Sequence, residues 1–151
     1  MNKIIFAFII VFFIHSCAYE PVLSNKKYDF KFESITSNVE SQTNQILKSN
    51  FIDKSKKVSE KAYNLYFSTN ESKEIISSNK QGDPTVFKTK ISVNYSLKDK
   101  NKIILNDTIE RYVTYNNIED KFELLKYEEN ILNNLLDSIS WEVLMSINNN
   151  F

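Results

Sequence analysis

Two side chains that often do chemistry in proteins occur once each in this chain, and both lie near its start. His15 and Cys17 follow an apolar run, and no other histidine or cysteine comes after them. A Ser-His-Asp triad would need His15, whereas a Cys-His triad, or a zinc site of imidazole and thiolate ligands, would need both residues. Gly82 is the only glycine, which excludes a glycine-rich phosphate loop. The fate of His15 and Cys17 therefore decides which chemistry is open to the chain.

The segment that carries this pair has the pattern of a bacterial lipoprotein signal. Lys3 supplies a positive start, and the apolar run from Ile4 to Ile14 is shorter than the roughly 20 residues of a membrane-spanning helix. Lipoprotein signals place an aliphatic residue three positions before the cysteine and a small residue directly before it. Ile14 and Ser16 satisfy both requirements, so Cys17 is the predicted lipidation site.

Lipidation would attach a diacylglycerol to the Cys17 thiol. Cleavage before Cys17 would then free its amine for a further acyl chain. Each buried methylene contributes about 0.8 kcal/mol to membrane affinity, so two or three chains hold a domain firmly. We expect a signal peptide over residues 1–16, a lipidated tether over 17–25 and a single domain over 26–151. The alternatives are a short uncleaved signal anchor and a simple secretory signal with an incidental cysteine.

Carboxylates are the remaining candidates for chemistry once the leader is removed. Two pairs of adjacent acidic residues precede or lie on the last predicted helix, Glu119-Asp120 and Glu128-Glu129. Neighbours on a helix point in different directions, so we interpret these pairs as a solvated face. Asp107 and Arg111 share a predicted strand face and could pair, as polar positions of a strand end. We expect no catalytic residue, no metal site, no cofactor and no enzyme activity.

Charge and composition limit the classes of partner that this chain is expected to bind. The chain has 151 residues, of which 42% are hydrophobic, enough for one domain with a modest core. Basic and acidic residues number 19 each and form no basic stripe, so nothing indicates a nucleic-acid partner. Lys98, Lys100 and Lys102 cluster at one predicted turn. Both a solvated turn and an anion-binding turn fit this cluster.

The periodicity of apolar residues predicts the elements. Alternation with a period of two predicts strands over residues 28–33, 63–76, 87–97 and 103–115. Polar turns at residues 77–84 and 98–101 join the last three strands into a meander. Ser37 is the predicted cap of a helix that ends near Asp53, and a second helix runs from about Asp120 to Ile147.

Apolar residues on these helices predict how the elements pack. The first helix is expected to turn inward Val39, Ile46, Leu47 and Phe51. The second is expected to turn inward Phe122, Leu125, Leu132, Leu135, Leu136, Ile139, Val143 and Ile147, with Trp141 and Met145 at the edge. The order β-α-β-β-β-α then predicts an α+β fold. Two helices pack on one face of a four-stranded, mostly antiparallel sheet, since a sheet must bury one apolar face.

Two short stretches resemble a known family. "CAYEPVL" resembles the mature start of the LPS-assembly lipoprotein family LptE, commonly Cys-Gly-aromatic-x-Pro-Leu-Tyr. Cys17, Tyr19 and Pro21 match, Ala18 replaces glycine, and Val-Leu replaces Leu-Tyr. "RYVTYNN" leads into the final helix, as in alphaproteobacterial members. There the helix is rich in Ala and Arg, whereas here it is rich in Asn and Leu.

The resemblance implies a role in lipopolysaccharide transport. Its members plug and stabilise the LptD β-barrel in the outer membrane, so the expected partners are that barrel, lipopolysaccharide and the anchoring membrane. Lys98, Lys100 and Lys102 are the candidate contacts to the barrel or to lipopolysaccharide. Ala18 in place of Asp permits export to the outer membrane under the enterobacterial sorting rule, which varies between lineages. The alternative is a free-standing, periplasm-facing lipoprotein that binds a ligand or assists a transporter.

Overall fold

The computed structural model describes Tyr28 and residues 30–55 and 58–151. Its elements are β1 (Lys31–Ser37), α1 (Gln42–Lys54), β2 (Ala62–Ser78), β3 (Pro84–Asp99), β4 (Lys102–Asn116) and α2 (Lys121–Asn150). The predicted element order and the α+β class are confirmed. The proposed signal peptide, the lipidation site Cys17 and the tether lie outside the described residues.

The four strands form one sheet in the order β1-β2-β3-β4. β2, β3 and β4 are antiparallel neighbours joined by the two predicted turns, whereas β1 is parallel to β2. The parallel pair follows from the connection, because a helical crossover returns the chain to the end where the previous strand began. A register shift between Leu97 and Lys98 places Ile103 opposite Lys98. Ile103 is therefore exposed, although its period-two alternation with Leu105 and Ile109 predicts an inward position, and that prediction is wrong.

Both helices pack on the same face of the sheet. Leu47 and Phe51 of α1 are fully buried, and the Phe51 ring lies 5.7 Å from that of Phe67 on β2. Fully buried residues of α2 and of β3 lie in the same core. They include Leu136, Ile139 and Val143 on α2 and Ile91, Val93 and Leu97 on β3. The predicted packing of both helices on one face of the sheet is confirmed.

The first helix begins four residues later than predicted. Ser41 is the N-cap, and its Oγ accepts a hydrogen bond from the Asn44 N–H at 3.1 Å. Ser37 is still part of β1, where it pairs with Phe67. Because strand pairing holds the backbone of Ser37 extended, Ser37 does not cap the helix, and Ser41, the next serine, does so instead. Val39 consequently lies in the connection and is exposed rather than inward-facing.

The second helix begins where predicted, since the Asp120 carboxylate accepts hydrogen bonds from the N–H groups of Phe122 and Glu123 at 2.8 and 3.1 Å. Its inward positions in the first turns differ from the prediction. Phe122 and Leu125 are 76% and 66% exposed, whereas Leu124 is buried. The buried stripe of α2 is Leu124, Ile131, Leu135, Leu136, Ile139, Val143, Leu144 and Ile147. Packing of the C-terminal half of α2 decides which side of the helix is buried, and the helical repeat places Leu124 on that same side.

Candidate functional site

On the face of the sheet opposite the helices, the central rungs (rows of residues paired across the strands) carry uncharged side chains that form hydrogen bonds. Across β2, β3 and β4, Ser68 pairs with Asn94 and Asn94 with Thr108. The Thr108 hydroxyl donates to Asn94 Oδ1 at 2.7 Å. In the next rung Tyr66, Ser96 and Asn106 are aligned in the same way. We call this surface the open face.

A shallow groove of about 350 Å³ runs across the open face. It lies between the end of β1 and the middle of β4, and its lining includes Thr36, Tyr66, Ser68, Asn94, Ser96 and Asn106. Hydroxyl and amide groups both donate and accept hydrogen bonds, so the groove can satisfy a partner of either kind. This is the chemistry of a surface that docks against another polar surface.

The structure brings the three predicted contact lysines together at one end of the sheet. Lys98 is paired with Asn64 of β2, and its Nζ lies 4.4 Å from the centroid of the Tyr66 ring. Lys100 occupies the turn with a positive φ of 52°, and Lys102 pairs with Asp99 across it. Among the described residues, none of the three lysines forms an ion pair. Their role as barrel or lipopolysaccharide contacts stays a prediction.

A second polar cluster lies on the helix-covered face, where sequence reasoning missed it. Glu128 of α2 accepts hydrogen bonds from Lys73 Nζ at 2.6 Å and from the Tyr115 hydroxyl at 2.9 Å. The Thr89 hydroxyl lies 3.2 Å from that of Tyr115. The available signal was positional, because Glu128 follows the buried Leu124 by four residues and the other members occupy inward-facing strand positions.

Burial and charge shift the pKa values of this cluster. Burial is the main cause of the raised pKa of Tyr115, and the adjacent Glu128 carboxylate adds to it. Burial alone would lower the pKa of Lys73, but the hydrogen bond and charge of Glu128 outweigh it, so the pKa of Lys73 is raised. In this cluster, which lies at the edge of the core, the positive charge of Lys73 compensates the negative charge of Glu128.

The remaining acidic candidates serve structure. Asp107 and Arg111 do not pair with each other. The Arg111 guanidinium forms an ion pair with Glu142 of α2, and the Asp107 carboxylate accepts from the Thr108 N–H at 2.7 Å. These contacts tie α2 to β4 and shape the strand. Trp141 lies at the edge of the core as predicted, with its ring 5.9 Å from that of Tyr28.

The described ranges hold neither a metal-binding cluster nor a helix that could span a membrane. Within Tyr28, 30–55 and 58–151, no three His, Cys, Asp or Glu side chains are grouped so that they could hold a metal ion. No helix in these same ranges has the length and apolar character needed to cross a membrane.

The raised pKa values predict a loss of stability at alkaline pH. Burial raises the pKa of Tyr28, Tyr63, Tyr95 and Tyr115 above the ordinary value of 10.0. The stability linked to these groups is therefore complete below pH 10 and is lost as the pH rises through their folded-state values, because the unfolded chain ionises first. Urea unfolding between pH 8 and about pH 11 measures this decline.

Tyr115→Phe isolates one of these groups. We expect it to cost about 0.5–1.5 kcal/mol at neutral pH through its lost hydrogen bonds, and to make the alkaline decline shallower. Tyr112→Phe is the matched control, since Tyr112 lies on the same strand but is exposed. Equal alkaline declines in the two variants would contradict the assigned role of Tyr115.

Comparison with solved structures identifies the fold class as one that occurs in small bacterial lipoproteins. The chain is similar to rare lipoprotein B from Shewanella oneidensis, with a TM-score of 0.58 and 12% identity over 78% of this chain and 92% of that chain. A minor lipoprotein from Acinetobacter baumannii gives a TM-score of 0.57 and 16% identity over 82% and 92% of the two chains.

A chain from Caulobacter crescentus CB15 is similar at a TM-score of 0.60 and 16% identity, covering 78% of this chain and 88% of that chain. No protein-family model and no curated protein matches the sequence. At these identities the likeness shows the fold. The α+β fold predicted from the sequence is thus one that occurs in these lipoproteins, and membership of the LptE family, including its alphaproteobacterial type, stays a prediction.

Proposed function

We propose that this chain is an outer-membrane lipoprotein of the LptE type, anchored through Cys17, that plugs and stabilises an LptD-type β-barrel for lipopolysaccharide transport. The observation that carries the proposal is the likeness of nearly the whole described domain to rare lipoprotein B and the minor lipoprotein. The lipoprotein signal that ends at Cys17 supports the same assignment from the sequence.

The open face supports a role inside a barrel lumen. Such lumens are polar, and a plug must exchange hydrogen bonds with them over a broad area. Asn94, Ser96 and Asn106 provide these groups on rigid strands, whereas the two helices are committed to the core. A plug of this kind acts by binding and by stabilising its partner, so we propose no catalytic step.

Affinity purification of the native lipoprotein after crosslinking tests the proposal. A large outer-membrane β-barrel is expected to co-purify, and each partner should lose abundance when the other is depleted, because binding stabilises only the folded state. A protein that retains no barrel would be a free-standing, periplasm-facing lipoprotein that binds a ligand or assists a transporter.

Charge reversal at Lys98, Lys100 and Lys102 tests the predicted contact turn. Because Lys100 and Lys102 are exposed and the half-buried Lys98 forms no ion pair among the described residues, the triple Lys→Glu variant should fold with a stability within about 1 kcal/mol of the parent. It should weaken barrel docking or lipopolysaccharide binding about tenfold through unfavourable charge contacts. Pull-down of the barrel and a lipopolysaccharide-binding assay measure the two effects.

Three exposed lysines elsewhere on the domain give the matched control, namely Lys80, Lys121 and Lys126. Their reversal changes the net charge equally but leaves the contact turn intact. If both triple variants behave alike in the two assays, the turn has no special part in binding.

A further inference from the structure

β4 forms a long free edge of the sheet. It pairs with β3 on one side, and no described strand lies on its other side. Its register with β3 runs over residues 105–116 without a shift. The opposite edge consists of β1, with a register shift between Phe32 and Ser34, and of the end of β2, with two further shifts after Ile75. β4 therefore offers the longest regular row of main-chain groups at an edge of the described sheet.

One hydrogen bond fixes which main-chain groups of β4 point away from β3. The Asn117 N–H, directly after the strand, donates to the Thr85 carbonyl at 2.8 Å. Because the direction of these groups alternates along an antiparallel strand and the register is constant, the odd-numbered residues of β4 from 105 onward point theirs toward β3. The even-numbered residues point their N–H and C=O groups to the free edge. They are Asn106, Thr108, Glu110, Tyr112, Thr114 and Asn116.

Two side-chain contacts agree with this assignment. The Asp107 carboxylate accepts a hydrogen bond from the Thr108 N–H at 2.7 Å. The Arg111 guanidinium donates to the Glu110 carbonyl at 2.9 Å. Both main-chain groups belong to even-numbered residues, and they bond to neighbouring side chains because no strand reaches them. Residues 112–116 have no such contact to an outward main-chain group within the described part of the chain, and we call them the free segment.

The side chains around the free segment suit an added strand with alternating side chains. On the helix-covered side, half-buried Val113 packs against the core, and the Tyr127 ring of α2 lies 5.9 Å from that of Tyr115 and is 44% exposed. On the other side Tyr112 is 61% exposed, with Lys88 Nζ 4.6 Å from its ring centroid. An added strand would place apolar side chains beside Val113 and Tyr127, and aromatic or polar ones beside Tyr112.

This edge lacks the devices that usually prevent strand pairing. Natural edge strands carry prolines, bulges or exposed charges, especially lysines. Residues 105–116 include no proline and no lysine, and their register is unbroken. Glu110 forms an ion pair with Lys90 at 3.4 Å. Arg111 forms one with Glu142. Neither charge is therefore left uncompensated beside an added strand.

We infer that an extended segment of the barrel partner adds to the sheet along the free segment and pairs with it through main-chain hydrogen bonds. This inference rests on the proposed function and names its mode of contact. The edge continues the open face, because Asn106, Thr108 and Tyr112 belong to both, so a partner that docks on that face meets the edge. A closed barrel wall has no free strand edge, so the added segment is a loop or terminal segment that enters the lumen.

Hydrogen exchange resolved to single amides tests this inference. The lipoprotein alone is compared with its co-purified complex with the barrel, in the same detergent. In the lipoprotein alone, the amides of Tyr112 and Thr114 should exchange fast and those of Val113 and Tyr115 slowly, because only the latter pair with β3. In the complex, exchange at Tyr112 and Thr114 should slow by about tenfold or more, so that the alternation disappears.

Thr114→Pro and Thr114→Ala form a matched pair at one position. Proline removes the outward N–H and leaves the hydrogen bonds to β3, since edge strands tolerate proline where the N–H faces solvent. We expect Thr114→Pro to weaken barrel retention by about tenfold, the effect of a lost hydrogen bond, and Thr114→Ala to be retained like the parent. Urea unfolding checks that both variants fold. If the proline variant does not fold, the exchange measurement on the parent decides.

The possible failures are distinguishable. If the alternation persists in the complex and both variants are retained alike, the inference is overturned and the proposed function stands. Slow exchange at Tyr112 and Thr114 in the lipoprotein alone also overturns it, and assigns the edge to another segment of this chain or, where the rate depends on protein concentration, to a second copy. If no barrel co-purifies with the parent, the proposed function and this inference fail together.

Discussion

Replacing Leu136 with alanine lowers the free energy of unfolding by about 2–5 kcal/mol. The side chain is 0% exposed and lies in the core that α2 shares with Ile91 and Val93 of β3. Its removal costs the transfer free energy of the buried methyl and methylene groups and leaves a cavity that rigid neighbours fill only in part. Urea unfolding monitored by circular dichroism measures the loss.

Leu125→Ala is the matched control for this prediction. It makes the same chemical change on the same helix, but Leu125 is 66% exposed, so we expect a change of about 0.5 kcal/mol or less. Similar losses in both variants would mean that α2 does not dock through its buried stripe.

We expect replacement of Cys17 with serine to abolish the proposed processing and lipid anchoring. Under the proposed assignment the Cys17 thiol receives diacylglycerol, and because a serine hydroxyl does not take its place, the precursor should keep residues 1–16 and gain no acyl chains. Because each lost methylene removes about 0.8 kcal/mol of membrane affinity, the anchoring contribution of two or three chains disappears entirely. Mass spectrometry of the N-terminal peptide reads both the cleavage and the lipid.

Ser16→Ala is the control for Cys17→Ser. It keeps a small residue before the cysteine and should be processed like the parent. An unmodified Cys17 in the parent, or cleavage at another position, would contradict the lipoprotein assignment.

The predicted contact turn shows which part of the candidate site a local sequence pattern can predict. The polar residues between two alternating strands predicted a turn that holds Lys98, Lys100 and Lys102, and the structure has that turn. The groove of the open face was not predicted, since its lining comes from all four strands and depends on their register.

The sequence by itself determined the element order, the alternation that forms β3 and the start of α2 at Asp120. Each depends on the backbone repeat of a strand or helix, or on a cap within a few residues, and such short-range geometry is written in local residue spacing.

Only the tertiary structure decided which serine caps α1, why Phe122 and Leu125 face solvent, and that Arg111 pairs with Glu142. It also joined Lys73 to Glu128 across 55 positions of the chain. These outcomes depend on which surfaces dock and at what register. Burial of the α2 stripe outweighs the local preference of any single side chain, because the free energy gained by burying many apolar groups together is larger.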